Sequence, residues 1–260
     1  MAERWQHEVV HYEVREQVAW LTIDRPEARN ALNQAVREGL WDGARRFVAD
    51  DSAAVLVLTG TGDTAFCAGG DLKEMAATGL QVPPVDWIPQ FGRNITVDKP
   101  TIAAVNGVAY AGGFALAQMC DLCVAAQHAR FAISEMKVGR GAPWAAPLAW
   151  MIPPRVALEI LLTAEPLSAE RAREVGLVNQ VVATADLAYH AQALGRTIAS
   201  NAPLSVRAAK KMVYEVAEAV RGPEAFALAE RIWEPVYLSE DAQEGPRSFA
   251  EKRPPRWRGR

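Results

Sequence analysis

The chain has 260 residues, of which 50% are hydrophobic and 23% charged, and its formal net charge is −3. This composition excludes disordered, collagen-like and coiled-coil readings, and the length supplies a full core without covalent staples. Residues 251–260 carry a net charge of +4, so the remaining 250 sum to −7. An acidic body argues against nucleic acid as the main partner, whereas the basic tail suits a phosphate.

No apolar run reaches about 18 residues, so no membrane span is expected. The opening MAERWQHEVVHYEVRE is polar and lacks the apolar core of a signal peptide. The three cysteines, Cys67, Cys120 and Cys123, are few and odd in number. They argue against a disulfide framework and fit a reducing, cytoplasmic setting.

Residues 8–24 alternate in part and are rich in Val, Trp, Ile and Thr, which predicts two strands of a hairpin turning near Arg15–Gln17. RPEARN follows as a turn, with Asn30 as the expected N-cap of a helix over 31–49. AAVLVLTG (53–60) is a continuous apolar run and reads as a buried strand. TGDTAFCAGGD reads as a loop, after which Asp71 opens a helical stretch, LKEMAA. Residues 79–92 hold three prolines and read as a variable loop. TIAAVNG (101–107) is a second buried strand, followed by a glycine-rich turn and the helix GFALAQMC. DLCVAAQHARFAI supplies two further short strands. This order is that of an α/β chain.

From about Leu148 the pattern turns helical. LSAERAREVG has Ser168 as its N-cap and Gly176 as its stop, and LVNQVV is one short strand. Three helices are expected over 185–201, 203–222 and 223–240, separated by Asn-Ala-Pro and Gly-Pro breaks. The division that follows is an α/β body over 1–185 and a helical part over 186–260.

Two short motifs carry other chemistry in other settings. His7-Glu8-Val9-Val10-His11 matches HExxH, which binds zinc when a helix puts both imidazoles on one face. The flanking valines and Tyr12 favour a strand, which would hold the two histidines about 13 Å apart, too far for one zinc. Cys120-Asp-Leu-Cys123 matches CxxC but has no second pair, and it reads as two structural thiols. No metal site is expected.

Two segments end buried strands in small residues: Phe66-Cys67-Ala68-Gly69-Gly70-Asp71 and Asn106-Gly107-Val108-Ala109-Tyr110-Ala111-Gly112-Gly113-Phe114. Small residues let backbone N–H groups approach a ligand, and a helix start follows each segment. Two N–H groups aimed at one oxygen make an oxyanion hole.

In order along the chain stand LTIDRPEARNAL, FCAGGDLKEM, KPTIAAVNGVAYAGGFALAQMCD, ARFAISEMKVG, LSAERAREVGLVNQVV and EGPRSFAEKR. With this ordered set the chain resembles the crotonases, the enoyl-CoA hydratase/isomerase family, over nearly its whole length. The resemblance implies an α/β fold, a spiral of ββα units, with C-terminal helices that build a homotrimer and, commonly, a hexamer of two trimers. It implies no permanently bound cofactor; coenzyme A enters as part of an acyl-CoA thioester substrate.

Carried over residue by residue, the resemblance assigns the oxyanion donors to the N–H groups of Gly70 and Gly112. Cys67, Ala68, Asp71 and Leu72 fall where the family wraps the adenine. Ala28 and Arg29 fall in the turn that flanks the pantetheine and diphosphate. Phe249 and Lys252 match tail positions that reach a neighbouring subunit's CoA near its 3′-phosphate. Of the two glutamates used by family hydratases, one is present as Glu135 and the other position is Ala115. Pro143 and Trp144 stand where glycine and alanine are usual, with Trp144 as a wall of a flat acyl pocket.

A single carboxylate suffices for the family's Δ3,Δ2-enoyl-CoA isomerases and for its hydroxycinnamoyl-CoA hydratase-lyases, which this chain resembles in having GGF, a small residue and then SE. Glu135 is the expected acid/base, and hydratase or hydratase-lyase chemistry on an enoyl-CoA is the leading expectation. The alternatives are isomerase, hydrolase or decarboxylase chemistry on the same scaffold, and a non-catalytic CoA- or RNA-binding homologue. Ile232, Trp233, Val236 and Tyr237 are expected to form an apolar patch that an oligomer covers.

Overall fold

The computed structural model describes residues 4–221, 234–235, 237–254 and 256. β2 (Val10–Arg15) and β3 (Val18–Ile23) form the expected hairpin, with Glu16 and Gln17 of the turn both at positive φ. β1 (Arg4–His7) joins them through another hairpin, with His7 paired to Val10. The HExxH stretch is therefore folded across a turn and is not one continuous strand, which corrects the expectation above. His11 is held by Asp24, with Nε2 2.8 Å from Oδ2.

From β3 the sheet becomes parallel, through β4 (Val55–Gly60), β6 (Thr101–Val105), β8 (Leu122–Ala126) and β11 (Gln180–Val182). A second sheet, in the order β10-β9-β7-β5, holds β5 (Ala65–Cys67), β7 (Val108–Tyr110), β9 (Arg130–Ala132) and β10 (Leu167–Ser168). Each turn of the chain thus gives one strand to each sheet: β4 then β5, β6 then β7, β8 then β9. This is the expected ββα spiral. α2 (Leu72–Thr78) and α3 (Gly112–Gln118) close its first two turns.

Side-chain alternation explains why the long strands read as continuous apolar runs. Leu56 and Leu58 of β4 join Leu21, Ala103 and Phe114 in the inner core. Val55 and Val57 face the other way, with Val18, Ile102, Leu187 and Ala191. Both faces of the parallel sheet are covered, so polar positions drop out of its strands. The outer cover is α7 (Leu187–Ala199), whose Gln192 accepts a 2.6 Å bond from Trp20 Nε1.

Two local expectations fail for identifiable reasons. The first long helix is α1 (Gln34–Ala49), and Asn33 caps it by accepting from Val36 N–H. Asn30 is fully buried at φ 55°, and its amide instead binds the carbonyls of Ala65 and Thr61. Residues 65–67 form β5 rather than loop, because Ala65, Phe66 and Cys67 are all buried against β7.

The helical region contains α4 (Leu148–Met151), α5 (Pro154–Thr163), α6 (Ala169–Glu174) and α8 (Pro203–Arg221). Ser168 caps α6 as expected, accepting from Arg171 N–H. Asp121 ties α8 to the sheet, accepting from Lys210 Nζ and Tyr214 Oη at 2.8 Å each and from Thr101 N–H at 2.7 Å. A C-terminal helix not anticipated from sequence, Glu240–Ala250, starts at a Ser239 cap. It packs on α2 and on the 3-10 turn Ser134–Val138. Most of the helix expected over 223–240, including Ile232, Trp233 and Val236, lies outside the described residues. Tyr237 is buried against this chain, so it drops out of the expected apolar patch.

Candidate active site

Three neighbouring parallel strands converge at their C-terminal ends. β5 leads to Gly70, β7 leads to Gly112 and β9 leads to Glu135. Ligands of α/β sheets bind at such ends, because the chain leaves the sheet there and exposes backbone groups and loop side chains.

The two glycine segments lie side by side. A Cβ built on Gly69, at φ +93°, would fall 3.3 Å from the Gly112 nitrogen and 2.7 Å from Ala111 Cβ. Gly113 is closer still: its Cβ would stand 1.9 Å from the Cys67 carbonyl oxygen. Leu32 N–H donates to Gly69 O, and Leu32 O accepts from Asp71 N–H at 3.4 Å. In this parallel bridge the N–H of Gly70 faces away from Leu32. Gly112 opens α3, so its N–H belongs to the first turn, which has no intrahelical acceptor. Just before it Ala111 is held at φ 51°, ψ −122°, a backbone state that residues with a Cβ avoid.

Glu135 is 8% exposed, on the 3-10 turn after β9. Trp144 Nε1 donates to its Oε1 at 2.7 Å, while Oε2 is buried with no hydrogen-bond partner among the described residues. Burial pushes the carboxyl up to about 7, against the opposing effects of the Trp144 N–H, the Glu135 backbone N–H and the Arg140 charge. The Trp144 ring meets Phe114 edge-on at 5.6 Å, and Phe114 meets Phe131 at 5.5 Å. Ala115, 4% exposed, follows Phe114 on α3. The indole–carboxylate bond was not legible in the sequence.

Arg140 fixes the loop after Glu135. It is 4% exposed, donates to the carbonyls of Leu80 and Gln81, and stacks over the Tyr237 ring at 4.9 Å. Tyr237 Oη in turn donates to Gly141 O at 2.7 Å.

The residues assigned to CoA are brought together on one side. Ala68 N–H donates to Arg29 O at 3.0 Å, which joins the Ala28–Arg29 turn to the Cys67–Leu72 segment. Asp71 caps α2, accepting from Lys73 and Glu74 N–H, and it pairs with Arg25 at 2.7 Å. Cys67 is fully buried, and burial raises its thiol to about 12, so it stays neutral and packs as an apolar side chain. Phe249 and Lys252 are exposed at the end of the C-terminal helix, which packs on α2 of the same chain. Cys120 and Cys123 are buried free thiols whose pKa values burial raises.

Sequence reasoning missed Trp87. Its ring lies 3.1 Å from where a Gly70 Cβ would stand and 3.7 Å from where a Gly112 Cβ would stand. A lone tryptophan in a proline-rich loop was the available signal.

The family model described as enoyl-CoA hydratase/isomerase matches residues 13–260. The chain belongs to the enoyl-CoA hydratase/isomerase family. A carnitinyl-CoA dehydratase of Salmonella typhi is 36% identical over 250 residues, covering 92% of this chain and 94% of the relative. Among solved structures, a carnitinyl-CoA dehydratase from Mycobacterium avium superposes with a TM-score of 0.85 at 40% identity, covering 97% of this chain and 99% of that one. An enoyl-CoA hydratase from Mycobacterium tuberculosis gives 0.80 at 33% identity, covering 89% and 100%. The crotonase frame is therefore shared along essentially the whole chain. No helix among the described residues is long and apolar enough to cross a membrane.

Proposed function

We propose that this crotonase interconverts an enoyl-CoA and its 3-hydroxyacyl-CoA, with Glu135 as the only acid/base and the N–H groups of Gly70 and Gly112 as donors to the thioester oxygen. The observation that carries the reading is the buried Glu135 carboxyl, with one oxygen held by Trp144 and the other without a partner. A group that must both take and give a proton works best with a pKa near the operating pH, and this carboxyl is pushed to about 7.

In the dehydration direction, Glu135 as carboxylate takes the C2 proton, and the electron pair moves onto the thioester oxygen as an enolate. Two backbone N–H donors stabilise that charge, an effect worth roughly 10²–10³ in rate per donor. The enolate then collapses to the C2–C3 double bond and expels the C3 hydroxyl, which leaves as water with the proton Glu135 returns. Hydration is the reverse. The relatives named carnitinyl-CoA dehydratase support this reaction class.

Ala115 favours a second reading. With one carboxylate, a 3-enoyl-CoA that loses its C2 proton to Glu135 gives a dienolate held by the same two N–H groups, and Glu135 returns the proton to C4, which is Δ3,Δ2-isomerisation. In this reading CoA is held along Ala28–Arg29 and Cys67–Leu72, and Phe249 and Lys252 reach a neighbouring subunit's CoA near its 3′-phosphate. We propose further that the chain divides functionally near residue 185, that its helical part assembles trimers and that it works in the cytoplasm.

The test is a panel of enoyl-, 3-hydroxyacyl- and saturated acyl-CoAs followed by mass spectrometry in H₂O and D₂O. The expected result is gain or loss of one water on some members and C2 deuteration, both abolished in Glu135→Gln. Absence of any mass change or exchange across the panel overturns the reading. Isomerised products without water addition decide for the second one.

A further inference from the structure

Trp144 reaches Glu135 from a separate segment, nine residues further along the chain, and is itself held from a third. Gln118 Nε2, at the end of α3, donates to the Trp144 carbonyl at 3.0 Å. The Trp144 ring rests edge-on against Phe114, one turn earlier on that helix. So placed, the indole N–H meets Oε1 of Glu135 at 2.7 Å.

A carboxylate has two nearly equivalent oxygens, and rotation about the terminal bond exchanges them. A buried group free to rotate would offer either oxygen to the substrate, in varying directions. Here a half-turn about that bond brings the second oxygen to the same indole N–H, so at any moment one oxygen is held by Trp144 and its twin is left without a partner among the described residues. Charge-assisted N–H bonds to carboxylates are roughly twice as strong as neutral ones.

We propose that Trp144 is a positioning residue that makes Glu135 one-sided: its indole N–H occupies Oε1 and leaves Oε2 alone to move the proton, while Gln118 holds Trp144 in register. This rests on the reading of Glu135 as the acid/base. It gives the bulky residue at 144 a role beyond lining the pocket, and it links the α3 turn that carries Gly112 to the carboxylate through side chains.

The bond also biases the titration of Glu135, because an N–H donor favours the charged form. Among the described residues, the charged and titratable groups that act on Glu135 are Arg140 from the following loop and Tyr237 from the C-terminal segment, with Arg93 acting on Tyr237. All three are unchanged by substitution at 144, so a shift seen there reports the indole.

The experiment compares wild type, Trp144→Phe and Glu135→Gln in the full-length protein. The first readout is deuterium exchange at C2 of butyryl-CoA as a function of pH. Trp144→Phe keeps an aromatic ring and removes the donor. Its acid limb should move up by about one pH unit, and exchange at pH 7 should fall about tenfold or more, with affinity for free CoA unchanged. The second readout uses the unmodified ring. The Trp144 indole ¹⁵N–¹H resonance in wild type should titrate in step with the acid limb, and in Glu135→Gln it should cease to titrate.

If Glu135→Gln abolishes exchange while Trp144→Phe keeps the wild-type pH profile and rate, the positioning role is wrong and the acid/base reading stands. An indole resonance in wild type that is indifferent to pH across that limb also overturns it, whether or not Trp144→Phe folds. If Glu135→Gln exchanges at the wild-type rate, the underlying reading fails and this proposal goes with it.

Discussion

The Arg37 guanidinium lies 5.0 Å from the centre of the Trp87 ring, and its Nη1 is 2.6 Å from Glu74 Oε2. Arg37 comes from α1 and Glu74 from α2, so an ion pair between two helices steadies the ring that faces Gly70 and Gly112. Cation–π contacts of this kind contribute about 0.5–2 kcal/mol, depending on desolvation.

Trp87 should therefore sense the acyl group more than the nucleotide. Trp87→Ala is expected to weaken binding of butyryl-CoA about tenfold, or about 1.4 kcal/mol, while free CoA binds as before. Isothermal titration with both ligands checks this. Equal losses for the two would place the ring away from the acyl chain.

Glu135 should make the protein less stable as pH rises. Its folded-state value is raised from 4.5 to about 7, so the native state binds the proton more tightly than the unfolded chain does. The associated stability is fully present below about pH 4.5 and is lost as pH climbs through 7, by about 3 kcal/mol at about 1.36 kcal/mol per unit. Glu135→Gln, uncharged throughout, should be more stable than wild type at pH 8 and lose that part of the pH slope. Thermal melts of both proteins between pH 5 and pH 8 measure it, and parallel curves would contradict it.

Asp71 works in the opposite sense. Desolvation raises its carboxyl, but the Arg25 ion pair and the N–H groups of Glu74 and Lys73 outweigh it and lower the pKa. The stability it contributes is present above the ordinary carboxylate range and is lost as pH falls through its lowered value. Asp71→Ala removes both a helix cap and an ion-pair partner and should cost about 1–2 kcal/mol at pH 7 by urea melts. It should also weaken CoA binding, since α2 starts beside the Cys67–Leu72 segment.

Ala115→Glu would supply the second carboxylate that two-glutamate hydratases carry. Crotonyl-CoA hydration is expected to rise, and the acid limb set by Glu135 to move upward, since two close carboxylates repel. Placing a carboxyl at a site 4% exposed should also lower the melting temperature. Hydration in wild type at the rate of two-glutamate relatives would show that no second carboxylate is needed.

Gly113→Ala should not yield a folded protein at 37 °C. Its Cβ would stand 1.9 Å from the Cys67 carbonyl oxygen, an overlap with backbone that no rotamer relieves. Overpacking of this kind costs about 1–3 kcal/mol or more, and here the displaced strand is β5 of the site itself. Soluble expression and circular dichroism are the checks.

What the sequence determined alone was the order of its motifs and the fold they imply. The apolar runs 53–60 and 101–107 are strands because both faces of a parallel sheet are buried, and that leaves a local mark. The small residues around Gly70 and Gly112, and the carboxylate at Glu135, stand at strand ends and could be named from spacing and resemblance. Capping was legible at Ser168 but not at Asn30 and Asn33, because either asparagine can start a helix and only the carbonyls of Ala65 and Thr61 claim Asn30. Tertiary structure alone decided the electrostatics of the site. The raised carboxyl of Glu135, its bond from Trp144, the hold of Gln118 and the ring of Trp87 beside two glycines all join segments far apart in the chain. Desolvation and hydrogen bonding depend on what the fold brings within about 3 Å, and local sequence does not record it.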